Sequence, residues 1–106
     1  MPLEEVELPF DTDSLKNGRN RFIVFFSSRV DGRLWCPDCV AVEGLVNNTF
    51  RPEHGQYYGV LVYVGQKAEW KSENCIFRRE PWCITAIPTI MKLDKARHPS
   101  TFRYIY

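Results

Sequence analysis

The residues in this chain best suited to chemistry are two cysteines, Cys36 and Cys39, in the run Trp35-Cys36-Pro37-Asp38-Cys39. Two residues separate them, a spacing that lets the sulfurs close a small disulfide ring at the start of a helix. Unpaired backbone N–H groups and the positive end of the helix dipole favour a thiolate there. An ordinary cysteine pKa of ~8.5 can fall into the range of roughly 3.5–7.5 in such a place. Cys36 is then expected to attack a substrate disulfide and form a mixed disulfide, which Cys39 resolves, releasing the reduced substrate. Pro37 suits the first turn, because its missing N–H has no intrahelical partner there. The Asp38 carboxylate is compatible with a helix N-terminus but opposes a nearby thiolate. It is expected to make the pair less acidic and to select substrates by charge.

Other chemistry is less well served. The chain has four cysteines, and a structural zinc ion wants four well-spaced ligands. The partners available to the pair are Cys75 and Cys83, with seven residues between them, and the isolated His54 and His98. That spacing is poor, and no metal is expected. Cys75 and Cys83 read as packed or surface residues, and Trp70 and Trp82 as packing residues. Glu43 lies one helical turn beyond Cys39 and reads either as a solvated helix carboxylate or as a proton relay.

The elements around the pair must aim it. Arg21 to Ser27 is a continuous apolar run rich in aromatic and β-branched residues, the pattern of a strand buried on both faces. Ser28 to Leu34 reads as a loop through Asp31-Gly32. A helix is expected from Pro37 to about Asn47, with Val40, Ala41, Leu45 and Val46 as its apolar face. Tyr57 to Val64 is a second buried strand, stopped by Gly65, and a helical segment is expected around Ser72 to Arg79. Thr89 to Leu93 follows Pro88 as a third strand, and Thr101 to Tyr106 as a fourth, after a turn over Asp94 to Pro99. Leu3 to Leu8 suits an edge strand, and Ser14 to Asn17 a short helix. Buried strands joined by helices imply a parallel pair, and the last two strands a hairpin. The class is α/β, in one domain over residues 1–106.

Composition narrows the setting. Apolar residues make up 44% and charged residues 25% of the 106, which is a globular composition. With 14 basic and 13 acidic residues, the charge balance offers nothing to nucleic acid or to an anionic membrane surface. No apolar run is long enough to span a bilayer. The acidic start, Met1 to Glu7, is no secretory signal, although a signal already removed would leave no trace. A cytoplasmic setting is expected, in which thiols are kept reduced.

The buried strand, the cysteine pair and Ile87-Pro88-Thr89 together resemble the thioredoxin superfamily. More narrowly, Trp35-Cys36-Pro37-Asp38-Cys39-Val40 is similar to the thioredoxin domain-containing protein 17 subgroup. The similarity continues through Val62-Tyr63-Val64-Gly65-Gln66-Lys67, Trp70-Lys71, Phe77-Arg78 and Thr85 to Thr89. The resemblance implies a thioredoxin-like fold, a central mixed sheet flanked by helices. It implies a cytosolic protein-disulfide reductase with no bound cofactor, reduced by thioredoxin reductase at the expense of NADPH. Substrates would be low-molecular-weight disulfides and selected disulfide-containing proteins. Cys36 would be the attacking thiol and Cys39 the resolving one. Pro88 would be a cis-proline facing the pair, the Ile87 backbone would bind extended substrate, and Trp35 would form an apolar lip.

Three departures accompany the resemblance. The acidic residue that thioredoxins carry in the strand before the motif is matched by Phe25, which cannot move protons; Asp38 or Glu43 would have to substitute. The loop Ser28 to Leu34 is longer than in thioredoxin and is expected to narrow access to Cys36. At the C-terminus the usual helix is expected to be lacking, leaving an apolar patch or a weak homodimer contact. The competing functional reading is a non-catalytic thioredoxin-like module that senses redox state or docks a partner.

Overall fold

The computed structural model describes residues 3–9, 22–50, 59–80, 82–93 and 99–103. Strand β1 spans Leu3–Glu7, β2 Phe22–Phe26, β3 Arg29–Val30 and β4 Arg33–Leu34. Helix α1 spans Pro37–Thr49, β5 Gly59–Tyr63 and α2 Lys67–Lys71. A 3₁₀ turn over Ile76–Arg78 follows, then β6 Thr89–Leu93 and β7 Pro99–Arg103.

Five strands form one sheet in the order β1-β5-β2-β6-β7. β1 and β2 both run parallel to β5, whereas β6 is antiparallel to β2 and to β7. The sheet is therefore mixed, with β2 at its centre and β1 at one edge. Burial on both sides explains the unbroken apolar run of β2, in which Ile23, Val24 and Phe25 have no exposed surface. Both helices send side chains into the same core, Val42 and Val46 from α1 and Trp70 from α2. Gly59 opens β5 because the chain passes tightly there: a Cβ would lie 2.9 Å from the Phe50 ring and 3.2 Å from the Phe22 carbonyl oxygen.

Several elements differ from expectation. The buried stripe of α1 is Cys39, Val42 and Val46, while Val40 and Leu45 are 43% and 50% exposed. Once Cys39 points inward, positions three and seven residues later must share its face, and Val40 and Leu45 fall outside it. The expected loop over Ser28 to Leu34 contains the hairpin β3–β4. Its turn, Asp31-Gly32, holds both residues at positive φ (52° and 80°), the conformation that suits the right-handed twist of a two-residue hairpin.

The second helix begins at Lys67 rather than Ser72, which is its C-cap. A capping box fixes that start, with the Glu69 carboxylate accepting from the Gln66 N–H at 2.9 Å. Beyond it the chain makes only the 3₁₀ turn, braced by Arg78, whose Nε donates to the Trp70 carbonyl at 2.6 Å and whose guanidinium lies 4.2 Å from the Trp70 ring centre. β7 starts at Pro99, a position open to proline because an edge strand need not use every N–H.

The expected helix over Ser14 to Asn17, His54, His98 and the chain after Arg103 lie outside the described residues, as do the β7 side chains on which the apolar patch was expected. Among the described residues, no helix is long and apolar enough to cross a membrane, and no three His, Cys, Asp or Glu residues converge to hold a metal ion.

Candidate active site

The site is assembled where β2 ends. After Phe26 the chain places two serines, Ser27 and Ser28, with almost no exposed surface. Ser28 joins this strand end to that of β5: its N–H donates to the Gly65 carbonyl at 3.2 Å, and its hydroxyl accepts from the Gly65 N–H at 2.9 Å. The hairpin then brings the chain back beside these serines. The Trp35 N–H donates to the Ser28 carbonyl at 3.3 Å, and the indole Nε1–H to the Gly65 carbonyl at 2.9 Å. The half-buried indole is thus held by its polar edge.

The hairpin has a second set of ties. Arg29 forms an ion pair with Glu43 on α1, and its Nη1 donates to the Gly32 carbonyl at 3.2 Å. Its guanidinium lies 5.8 Å from the centre of the Tyr63 ring. The Gln66 amide donates to the Arg29 carbonyl at 3.0 Å. The Tyr63 hydroxyl donates to the Glu5 carboxylate, and burial followed by this carboxylate pushes the phenol pKa up.

Cys36 is the N-cap of α1, with an extended backbone (φ −90°, ψ 118°). Its N–H donates to the Ser27 hydroxyl at 3.1 Å, and its carbonyl accepts from the Val40 N–H at 3.1 Å. Its sulfur lies 3.8 Å from the Ile87 carbonyl oxygen, next to the cis Ile87–Pro88 bond. Cys39 sits one turn into the helix with its sulfur 3.5 Å from the Ser27 N–H. Both cysteines are free thiols. Cys36 keeps 8% of its surface exposed and Cys39 none, so Cys36 is the nearer of the two to the surface.

Burial pushes the Cys39 thiol up to about 12; the Ser27 N–H opposes that shift, and the neighbouring Cys36 adds to it. Cys39 is therefore a protonated thiol at neutral pH. The arrangement offers one sulfur at a helix N-terminus nearer the surface, a second, fully enclosed sulfur one turn further in, and a backbone carbonyl facing the first. That is the equipment needed for stepwise thiol–disulfide exchange.

Each expected site residue has a definite place. Cys36, Cys39 and Ile87 come together, with Trp35 and Pro88 as their chain neighbours, and Pro37 and Asp38 are exposed on the first turn of α1. Glu43 is half-buried and paired with Arg29 at the hairpin. Phe25 is sealed in apolar surroundings, its ring centre 5.6 Å from that of Phe77 and 6.0 Å from that of Trp82. Trp70 and Trp82 are buried, as packing residues should be. Cys75 is buried and Cys83 exposed. The sequence reading missed Ser27, Ser28, Arg29 and Gly65. The signal available was a pair of small hydroxyl residues directly after a fully apolar strand.

The sequence profile of the thioredoxin domain-containing protein 17-like thioredoxin domain matches residues 3–101. Human thioredoxin domain-containing protein 17 is 38% identical over 79 residues, covering 72% of this chain and 62% of that protein. The mouse protein of the same name is 34% identical over 76 residues, covering 71% of this chain and 61% of that protein. The thioredoxin-like protein Clot of Arabidopsis thaliana is 24% identical over 86 residues, covering 78% and 64%. The chain thus spans less than two thirds of the length of these relatives.

Proposed function

The chain belongs to the thioredoxin domain-containing protein 17-like thioredoxin-domain family, and on that premise we propose that it is a protein-disulfide reductase. It reduces protein or low-molecular-weight disulfides through a Cys36–Cys39 dithiol/disulfide cycle in the cytoplasm. The observation that carries the proposal is the unequal setting of the two thiols, Cys36 at the α1 N-terminus with 8% of its surface exposed and Cys39 fully enclosed beside it.

In the cycle the Cys36 thiolate attacks one sulfur of the substrate disulfide. The other substrate sulfur leaves and takes up a proton. The Cys39 sulfur then attacks Cys36, the bond from Cys36 to the substrate breaks, and the second substrate thiol departs. Two electrons pass from the dithiol to the substrate, leaving the Cys36–Cys39 disulfide. Thioredoxin reductase, drawing on NADPH, is the proposed electron donor for the return to the dithiol. The Ile87 backbone beside the Cys36 sulfur suits main-chain pairing with an extended substrate segment, with Trp35 as a flanking apolar surface. Asp38, exposed one residue before Cys39, biases the site against anionic substrates.

Reduction of insulin disulfides, coupled to NADPH and thioredoxin reductase, tests the proposal. Turnover is expected in the unaltered protein and none in Cys36→Ser. Full activity in Cys36→Ser would overturn it, and a protein that binds partners without any turnover would be a non-catalytic module.

A further inference from the structure

Resting on the reductase reading above, we propose that Ser27 is a third catalytic residue, which stabilises the Cys39 sulfur as a thiolate by hydrogen bonding while it resolves the mixed disulfide.

Ser27 has no exposed surface, yet its polar atoms reach both cysteines. Its hydroxyl oxygen accepts from the Cys36 N–H at 3.1 Å, and its own N–H points at the Cys39 sulfur at 3.5 Å. Because the oxygen is already occupied as an acceptor, the hydroxyl proton is left to donate. Cys39 therefore faces the N–H of this residue, and the hydroxyl proton of the same residue is the second donor that the proposal assigns to it.

The need for such donors follows from the surroundings. A thiolate formed at Cys39 is enclosed by apolar groups, and an unsatisfied buried charge is strongly disfavoured. Burial already holds this thiol far above its usual range, and the Ser27 contacts act against that shift. Phe25, where a carboxylate would be expected to move the proton, is packed between Phe77 and Trp82. Ser27 answers a different part of the same problem. It takes no proton; it lowers the cost of the charge at the moment of attack, as preorganised donors do for an oxyanion.

In the resolving step the Cys39 S–H bond breaks and the sulfur attacks Cys36. The new Cys36–Cys39 bond forms as the bond from Cys36 to the substrate sulfur breaks. The proton leaves with that substrate sulfur, which departs as a thiol. Ser27 ends the step with the proton it started with.

The test separates attack from resolution. Reduced protein, with exposed Cys83 changed to serine, is mixed with a substoichiometric amount of 5,5′-dithiobis(2-nitrobenzoate). Attack by Cys36 releases the first thionitrobenzoate, and resolution by Cys39 releases the second. In Ser27→Ala the backbone donor survives, and the second phase is expected to slow by about tenfold or more, the loss that one hydrogen bond to a charged atom implies. The first phase should change far less, and the mixed disulfide should accumulate in intact-mass spectra. Ser27→Thr, which keeps a hydroxyl, should restore the second phase. An unaltered second phase in Ser27→Ala, equal slowing of both phases, or a Ser27→Thr as slow as Ser27→Ala would overturn the inference while leaving the reductase reading intact. Absence of the first phase in otherwise unaltered protein would overturn both.

Discussion

Arg29, in the first strand of the hairpin after β2, is ion-paired with Glu43 on α1. The cysteine motif lies between these two residues in the chain, so the pair fastens the hairpin to the helix around Cys36 without touching either sulfur. The Tyr63 ring and the Gly32 carbonyl hold the same guanidinium.

Loss of that fastening should be felt in the hairpin more than in overall stability. The two side chains are 36% and 28% exposed, so solvent screens the pair, and Glu43→Gln should cost about 0.5 kcal/mol or less. Amide exchange at Val30 to Leu34 is expected to accelerate in the variant, and the difference should shrink as salt is added. An unchanged exchange pattern would show that the other contacts of Arg29 suffice.

The two cysteines should fail in different ways. Cys36→Ser is expected to lose disulfide reduction by at least about a thousandfold, since no other accessible thiol lies at the site. Cys39→Ser should still attack and then stall, giving a stable mixed disulfide with the substrate in mass spectra. The reverse assignment of trapped species would exchange the two roles.

The enclosed Cys39 thiol makes stability depend on pH in a stated direction. Its pKa in the folded dithiol is pushed up to about 12, from 9.0 for an unperturbed cysteine. Below pH 9 both folded and unfolded chains keep the proton, and this contribution is intact. Above that pH the unfolded chain releases the proton first, so stability falls as pH rises through the window from 9 towards 12, by up to about 1.4 kcal/mol per pH unit. The midpoint of denaturant unfolding of the dithiol form should fall over that range. The Cys36–Cys39 disulfide form, with no Cys39 proton to lose, should lack this component.

Asp38 should discriminate substrates by charge. With Asp38→Asn, reduction of an anionic disulfide such as oxidised glutathione should rise relative to that of cationic cystamine by about two- to threefold at low salt. Identical ratios in the two proteins would remove Asp38 from substrate selection.

Much of this was legible in the residue pattern, because β2, the start of α1 at Pro37 and β6 at Thr89 are set by long apolar runs or by proline. The pattern was silent where structure depends on contacts between distant residues. Val40 and Leu45 are as apolar as Val42, and only the inward anchoring of Cys39 decides which of them is buried. The start of α2 turns on a Gln66–Glu69 capping box whose N-cap is not one of the usual residues. Ser27 and Ser28 look like the start of a loop until the hairpin returns Trp35 and Cys36 to them. The pairing of Glu43 was hidden because its partner stands 14 positions earlier.

The edge strand β1 also bears on how copies of this chain meet. Among the described residues it pairs with β5 on one side only, and Glu4, Glu5 and Glu7 are exposed along its length. The β1 strand of a second copy docking there would set carboxylates against carboxylates, and charged side chains on a sheet edge are a recognised barrier to such pairing. This margin of the sheet is therefore guarded against edge-to-edge pairing with another β1.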